Sequence, residues 1–297
     1  MSRKIIIGSR GSDLALWQAH HVEAQLKALG QEVEIKIIKT QGDKIQHLSF
    51  DKMEGKGFFT KELEDKLLSG EIDLAVHSHK DLPTEHPEGL VIAAVSERED
   101  PRDLLLIRKE KTDSAKKFEL AEGAIIGTSS ARRKSQLLHF RPDIEIKDLR
   151  GNVPTRINKL REGNYDAIML AAAGVERLKL DLSDFNVLKL DPTEFIPAPA
   201  QGVLGLQVRE SDSEVAKIID QLNDKDVARR IGVERRILNL FEGGCQMPLG
   251  AYCVETDGKL TVKACVSDAW DARVRISENS GTEVEALAQE TVASLQV

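Results

Sequence analysis

With 297 residues, 41% of them apolar and 31% charged, the chain is long enough for two or three domains with their own hydrophobic cores. A formal net charge of -7 and a pI near 5.6 argue against a general nucleic-acid binder, which needs a basic surface. No stretch has the length of a membrane span, and Ile5-Ile6-Ile7-Gly8 is too short an apolar run for a signal peptide. Cys245, Cys253 and Cys265 lack CxxC spacing and fit a reducing, cytoplasmic setting without disulfides, and the 7 histidines form no metal signature.

Residues 4 to 8 read as a buried strand, and after Ser9-Arg10-Gly11-Ser12 a helix runs from about Asp13 to Leu29, stopped by Gly30. Val33 to Lys39 alternates as a second strand. Thr40 to Gly57 loses all periodicity while collecting lysines and glycines, and its 18 residues are expected to form a mobile lid. A helix from Phe59 to Leu68 and a strand from Ile72 to Val76 follow, and that strand delivers His77-Ser78-His79-Lys80-Asp81-Leu82-Pro83 at its carboxyl end. The two imidazoles face opposite ways if the strand continues through them. Strands are expected from Gly89 to Val95 and from Asp103 to Ile107, with Lys109 to Lys117 as a surface connection.

The order then repeats. Ala124-Ile125-Ile126-Gly127-Thr128-Ser129-Ser130 leads into a helix from Ala131 to Phe140, as Ile5-Ile6-Ile7-Gly8-Ser9-Arg10 leads into the first. Gly163-Asn164-Tyr165-Asp166-Ala167-Ile168-Met169 echoes Gly70-Glu71-Ile72-Asp73-Leu74-Ala75-Val76, which argues for two related α/β lobes. Phe195 to Gly202 reads as a rigid linker, and Val203 to Val208 as a strand returning to the first lobe's sheet. Helices at about Ser213 to Leu222 and Asp226 to Phe241 precede a small C-terminal unit. Its strands lie near Ala251 to Glu255, Leu260 to Val266 and Ala272 to Ser277, and its helix runs from Val284 to Leu295. The expected domains are 1–99 with 200–222, 100–199, and 223–297.

In such sheets ligands bind beyond the carboxyl ends of the strands, where helix N-termini offer amides to anions. Ser9-Arg10, His77 to Asp81 and Thr128 to Arg133 fall there. Between Thr128 and Arg177 ten lysines and arginines stand against six acids, a basic stretch in an acidic protein. Lys134, Arg141, Lys159 and Arg161 read as a solvated helix face. Arg132 and Arg133 differ, because they open a helix, where a cation is unfavourable beside the dipole unless an anion also binds. Arg150 before Gly151-Asn152, Arg156 one turn into the next helix, and Arg177 after Ala171-Ala172-Ala173-Gly174 complete a set of guanidinium clamps. The implied ligand is a small polyanion, and phosphate and polycarboxylate both stay open. Asp81, beside Lys80, could move protons, stabilise a cation, or only form the turn. Cys245, in Gly243-Gly244-Cys245 with Pro248 beyond, could be a nucleophile, an attachment point or a small buried hydrophobe. An enzyme and a two-lobed binding protein for a small anion are both compatible with these features.

Seven ordered blocks resemble the porphobilinogen deaminase (hydroxymethylbilane synthase) family over essentially the full length. They are Ile7-Gly8-Ser9-Arg10 with Ala15; Gly55-Lys56-Gly57-Phe58-Phe59 with Lys61-Glu62-Leu63; Asp73 through Pro83; Gly127 through Arg133; Leu149-Arg150-Gly151-Asn152-Val153; Pro199-Ala200-Gln201-Gly202; and Gly243-Gly244-Cys245. The resemblance implies two periplasmic-binding-protein-like lobes with mixed sheets plus a small C-terminal α/β domain. It implies an enzyme that joins four porphobilinogen molecules head to tail, releases ammonia, and yields hydroxymethylbilane after hydrolysis. It further implies one dipyrromethane cofactor per chain, held by a thioether to Cys245.

On that resemblance Asp81, with Lys80 and Arg10, is catalytic. Lys80, Asp81, Thr128, Ser129, Ser130, Arg132, Arg133, Arg150 and Gly151 bind the cofactor, and Arg10, Ser12, Lys56, Phe59, Arg150, Arg156 and Arg177 bind substrate. The implied partners are porphobilinogen and, for the product, uroporphyrinogen-III synthase. No metal, nucleic acid or membrane is implied, and the chain is expected to be a monomer. Each pyrrole carries two carboxylates, which accounts for clustered arginines inside an acidic protein. His79, Ala200, Gln207 and Met247 depart from the family's commonest residues without removing a proposed catalytic group.

Overall fold

A computed structural model of the chain describes residues 3–40, 60–244 and 246–296. Almost all of the expected lid lies outside those residues. The chain begins with β1 (Ile5–Ser9), α1 (Asp13–Ala28), β2 (Val33–Ile37), α2 (Lys61–Leu68), β3 (Leu74–Ser78) and β4 (Leu90–Val95). It continues through β5 (Asp103–Arg108), β6 (Ile125–Gly127), α3 (Ala131–Phe140), β7 (Glu145–Lys147), α4 (Val153–Arg161), β8 (Ala167–Ala171), α5 (Ala172–Leu178) and β9 (Phe185–Lys189). It closes with β10 (Leu204–Arg209), α6 (Ser213–Asp220), α7 (Lys225–Leu240), β11 (Leu249–Thr256), β12 (Lys259–Val266), β13 (Arg275–Gly281) and α8 (Val284–Leu295). Two compact units result, Met1–Glu99 with Gly202–Arg229, and Asp100–Gln201 with Arg230–Val297.

The first unit is built on a five-stranded mixed sheet of order β2-β1-β3-β10-β4. β1 runs parallel to β2 and β3, whereas β10 is antiparallel to both β3 and β4, so the strand expected to return to this sheet does so in its interior. Helices cover both faces. Ala19, Val22 and Leu26 of α1 and Val215 and Ile219 of α6 pack on Ile5, Ile7, Leu74 and Val76, while Leu63 and Leu67 of α2 pack on Ile72 and Ala75. Each such aliphatic side chain removed from water stabilises the fold by roughly 1.5–3 kcal/mol. α1 starts where it does because Ser12 caps it, accepting from the Ala15 amide at 3.4 Å.

The second unit carries a sheet of order β7-β6-β8-β5-β9, again with three parallel strands and an antiparallel strand beside them. Alternate residues of β5 serve opposite faces: Leu105 and Ile107 meet Leu137 of α3, and Leu104 and Leu106 meet Ile157 and Leu160 of α4. β7 and β9, which have no counterpart in the sequence reading, are the two edges of this sheet. The suspected internal repeat is structural. The Asp73 carboxylate accepts from the Ile6 amide at 2.9 Å and the Asp166 carboxylate from the Ile125 amide at 2.9 Å, tying the start of β3 to β1 and the start of β8 to β6.

The same unit includes the antiparallel sheet β11-β12-β13, on which α8 lays Leu287, Ala288, Val292 and Leu295. Cys253 and Cys265 are both buried thiols here, and burial pushes the Cys265 thiol up to about 12. The segment read as a linker is core: Phe195, Ile196, Ala200 and Gln201 are fully buried. Among the described residues no helix is long and apolar enough to cross a membrane.

Candidate active site

In the first unit β1 ends at Ser9, and its hydroxyl bonds the carbonyls of Arg10 and Ala15 at 3.0 and 3.1 Å, which fixes the turn that presents Arg10. Ser12 is engaged as the α1 cap, so its hydroxyl already serves the helix. β3 stops at Ser78, and His79, Lys80 and Asp81 form a short 3-10 turn closed by Leu82 N–H to the His79 carbonyl at 3.1 Å. The backbone of His79 is pinned to the Val203 carbonyl at 2.9 Å, and Ser78 receives Gln18 Nε2 at 2.8 Å. Asp81 is exposed and Lys80 half-buried at this strand end.

In the second unit the corresponding strand end is β6. Thr128, Ser129 and Ser130 follow it, and their hydroxyls build the turn: Thr128 Oγ1 accepts from the Ser130 amide at 3.3 Å, and Ser130 caps α3. Ser129 Oγ both donates to the Leu149 carbonyl and accepts from the Leu149 amide, each at 3.0 Å, strapping this turn to the loop that carries Arg150. Gly151 has φ of +110°, and a Cβ there would lie 2.7 Å from Thr155 Cγ2, so both conformation and space demand glycine. Its carbonyl accepts from Arg156 Nε at 2.7 Å. Arg150 on this loop and Arg156 in α4 are half-buried, and Arg177 is buried in α5.

Arg132 and Arg133 already face an anion within the protein. Arg132 Nη1 meets Asp103 Oδ2 at 2.7 Å and the Ile196 carbonyl at 2.8 Å. Arg133 Nη2 meets Asp103 Oδ1 at 2.7 Å. Burial alone would raise the Asp103 carboxyl, but the facing guanidiniums prevail and hold it well below the usual carboxylate range. The anion that the helix start calls for is therefore supplied, at least in part, by Asp103, a residue the sequence reading treated only as the start of a strand. The one available signal was an acid opening an otherwise apolar run, Asp103-Leu104-Leu105-Leu106-Ile107. Among the described residues, the buried Nε of Arg132 has no hydrogen-bond partner.

Arg141 corrects the solvated-face reading. It is buried, bonded to Asp143, and donates to the carbonyls of Lys117, Leu120 and Ala121 at 2.8, 2.8 and 3.1 Å, because it closes the C-terminus of α3. Lys134 pairs with Asp148 and lies over the Trp270 ring, whereas Arg161 is an exposed partner of Asp184. Cys245, Lys56 and Phe59 lie outside the described residues. Of the glycines before Cys245, Gly243 is a packing residue whose Cβ would lie 2.8 Å from Leu238 Cδ1. Gly244 has open space around it among the described residues.

Fold and donors define an α/β protein whose strand ends carry guanidiniums and, at one of them, an exposed carboxylate. A family model described as porphobilinogen deaminase, dipyromethane cofactor binding domain, matches residues 5–217, and one described as porphobilinogen deaminase, C-terminal domain, matches residues 228–295. A porphobilinogen deaminase of Nitratiruptor sp. is 50% identical over 83% of this chain and 77% of its own length. One of Sulfurimonas denitrificans is 44% identical over 96% of this chain and 93% of its own. Among solved structures, a periplasmic binding protein of Salmonella typhimurium is similar at a TM-score of 0.42 and 13% identity, over 76% of this chain and 94% of that one. The chain belongs to the porphobilinogen deaminase family.

Proposed function

We propose that the chain performs its family's reaction through the residues identified at its strand ends. Four porphobilinogen molecules and one water become one hydroxymethylbilane and four ammonia molecules. The dipyrromethane cofactor, joined by a thioether to Cys245, supplies the primer ring to which the first substrate is coupled. The donor set suits such a group. Its carboxylates require cations, which Arg132, Arg133, Arg150 and the amides after β6 offer, and the buried Nε of Arg132 has a hydrogen bond still to give. That orphaned donor at a helix start rich in cations is the observation that carries the reading.

Asp81 acts on the substrate. Its carboxylate accepts a hydrogen bond from the pyrrole N–H of porphobilinogen, stabilises the cation left when the aminomethyl nitrogen departs as ammonia, and takes up the α-proton after coupling. Exposure at the end of β3 is what lets an arriving substrate reach it. Lys80, Arg10, Arg156 and Arg177 neutralise acetate and propionate groups, Ser12 supplements them with a hydroxyl or backbone donor, and Lys56 and Phe59 cover the substrate. The chain acts as a cytoplasmic monomer, organised as 1–99 with 200–222, 100–199 and 223–297, and hands its product to uroporphyrinogen-III synthase. Intact mass before and after incubation with porphobilinogen tests the proposal. An adduct of two pyrrole units that grows on incubation is expected, and a bare Cys245 in an active preparation overturns it.

A further inference from the structure

Behind the turn that carries Asp81 lies a buried polar chain that the reaction as described does not use. Thr60 Oγ1 donates to Glu64 Oε2 at 3.3 Å, Gln207 Nε2 donates to Glu64 Oε1 at 3.3 Å, and His77 Nε2 bonds Gln207 Oε1 at 3.0 Å. All four side chains are buried. The chain joins the start of α2, the middle of β10 and the end of β3, the strand that delivers Lys80 and Asp81. A register shift between Leu206 and Gln207 interrupts the pairing of β10 with β4, the kind of irregularity that re-aims a side chain. Two residues earlier on β10, Gly205 pairs with His77 and lies so close to the turn that a Cβ would come within 3.0 Å of Leu82 and 3.2 Å of His79. The placement of β10 therefore sets the placement of the turn.

The second unit shows that the fold does not need these polar groups. Aligning β8 on β3 through Asp166 and Asp73 makes Leu170 the counterpart of His77. It also makes Leu106, paired with Ile168, the counterpart of Gln207, paired with Ala75. Both leucines are ordinary members of the apolar core. Burying an amide, an imidazole and a carboxyl where leucines suffice is costly, and it occurs only in the sheet whose strand end holds the proposed catalytic carboxylate. We propose that Glu64, Gln207 and His77 form a positioning relay that locks β10 against β3 and thereby orients Asp81 for proton transfer. The relay rests on the assignment of Asp81 as the group that handles protons.

Gln207→Leu cuts the relay without adding charge. In holoenzyme whose loaded primer is verified by mass, it is expected to lower kcat about tenfold to a hundredfold, the scale of an ångström-sized misplacement, with KM within twofold. Gln207→Glu keeps an acceptor for His77 but adds a titratable group beside Glu64 and His77, with Asp65 and His86 as the other charged or titratable neighbours that act on them. Its kcat–pH profile should gain a titration that the wild type lacks. A Gln207→Leu enzyme with wild-type kcat, or one whose loss is fully explained by its unfolded fraction, overturns the relay. If Gln207→Leu does not fold, Gln207→Glu decides alone, and a profile coincident with wild type overturns it. Asp81→Asn assayed in parallel separates the two ideas: if that variant turns over normally the Asp81 assignment fails, whereas if it is inactive beside a normal Gln207→Leu only the relay fails.

Discussion

The two large sheets share the same pattern of strand directions and the same carboxylate tie, yet they bury opposite kinds of polar device. The first unit holds a chain of amide, imidazole and carboxyl whose His77 is kept neutral by burial, lowered to about 4. The second holds a fully charged cluster in which Asp103 meets Arg132 and Arg133. In the first, the polar chain ends on the strand that leads into a turn with an exposed acid. In the second, the internal acid holds two guanidinium groups and, among the described residues, the Nε of Arg132 has no partner. One scaffold thus appears in two electrostatic forms, a polar chain with a neutral imidazole and a charged cluster, and substitutions in each should fail differently.

The largest expected effect tests the proton-handling side. Asp81→Asn should lower turnover by about 10²- to 10⁴-fold, the usual worth of a positioned acid or base. Because Asp81 is exposed, unfolding free energy should stay within about 0.5 kcal/mol of wild type. Steady-state kinetics and urea unfolding on one preparation read both, and near-normal turnover removes the functional half of the comparison.

The charged cluster should behave in the reverse way. Asp103→Ala leaves two buried guanidiniums without their carboxylate and should cost about 3–5 kcal/mol of stability. The carboxyl is lowered in the folded state, so its contribution is complete above the unfolded value of 3.8 and is lost as pH falls through the lower folded value. The deficit should therefore be constant between pH 6 and 8. A loss below about 1 kcal/mol in urea unfolding would mean that the guanidiniums find other partners.

Much of this was legible in the sequence, and what was not has identifiable causes. α3 and α8 begin and end where the pattern puts them, because Ser130 and the run from Val284 mark them locally. Gly-x-x-Asp before β3 and β8 exposed the repeat, since Asp73 and Asp166 make the same backbone bond. β7 and β9 escaped notice as edge strands: one has three residues, and the other alternates with little burial. Arg141 looked like a solvated cation because its carbonyl partners, Lys117 to Ala121, lie 20 or more residues away. The same distance hid the partner of Arg132 and Arg133, 29 and 30 residues upstream at Asp103. Periodicity reports which face is buried. It does not report which charge waits there.

A finer test lies near the carboxyl ends of β1 and β6. A Cβ on Gly8 would press into the Ile72 side chain, and one on Gly127 would approach the Tyr165 ring at 2.9 Å. Ile72 and Tyr165 are themselves counterparts, each preceding the tying aspartate. An isoleucine terminus can rotate away, whereas the tyrosine ring is fixed by its hydroxyl bond to the Asp148 carbonyl at 2.7 Å. Gly127→Ala should therefore cost about 1–3 kcal/mol, the usual penalty of overpacking, and Gly8→Ala less. Equal losses in thermal or urea unfolding would show that the two sites are equally rigid.

The smallest effect is a slope. His77 is lowered from 6.5 to about 4, chiefly by burial, with His86 adding to the shift and the Gln207 bond opposing it. A group lowered in the folded state contributes stability that is present above its unfolded value and lost as pH falls towards its folded one, here between about pH 6.5 and pH 4. Glu64 runs the other way. Burial raises its carboxyl above 4.5, so its contribution is complete below that value and fades as pH rises through the folded one. The two partly cancel in the wild type, which makes the difference between wild type and His77→Gln the proper measurement. That difference should change with pH by at most about 1.4 kcal/mol per unit across the window. The charged cluster of the second unit contributes nothing there, since Asp103 stays ionised well below pH 4. A pH-independent difference would mean that His77 titrates alike in the folded and unfolded chain, and the electrostatic contrast between the sheets would then have no acid-stability signature.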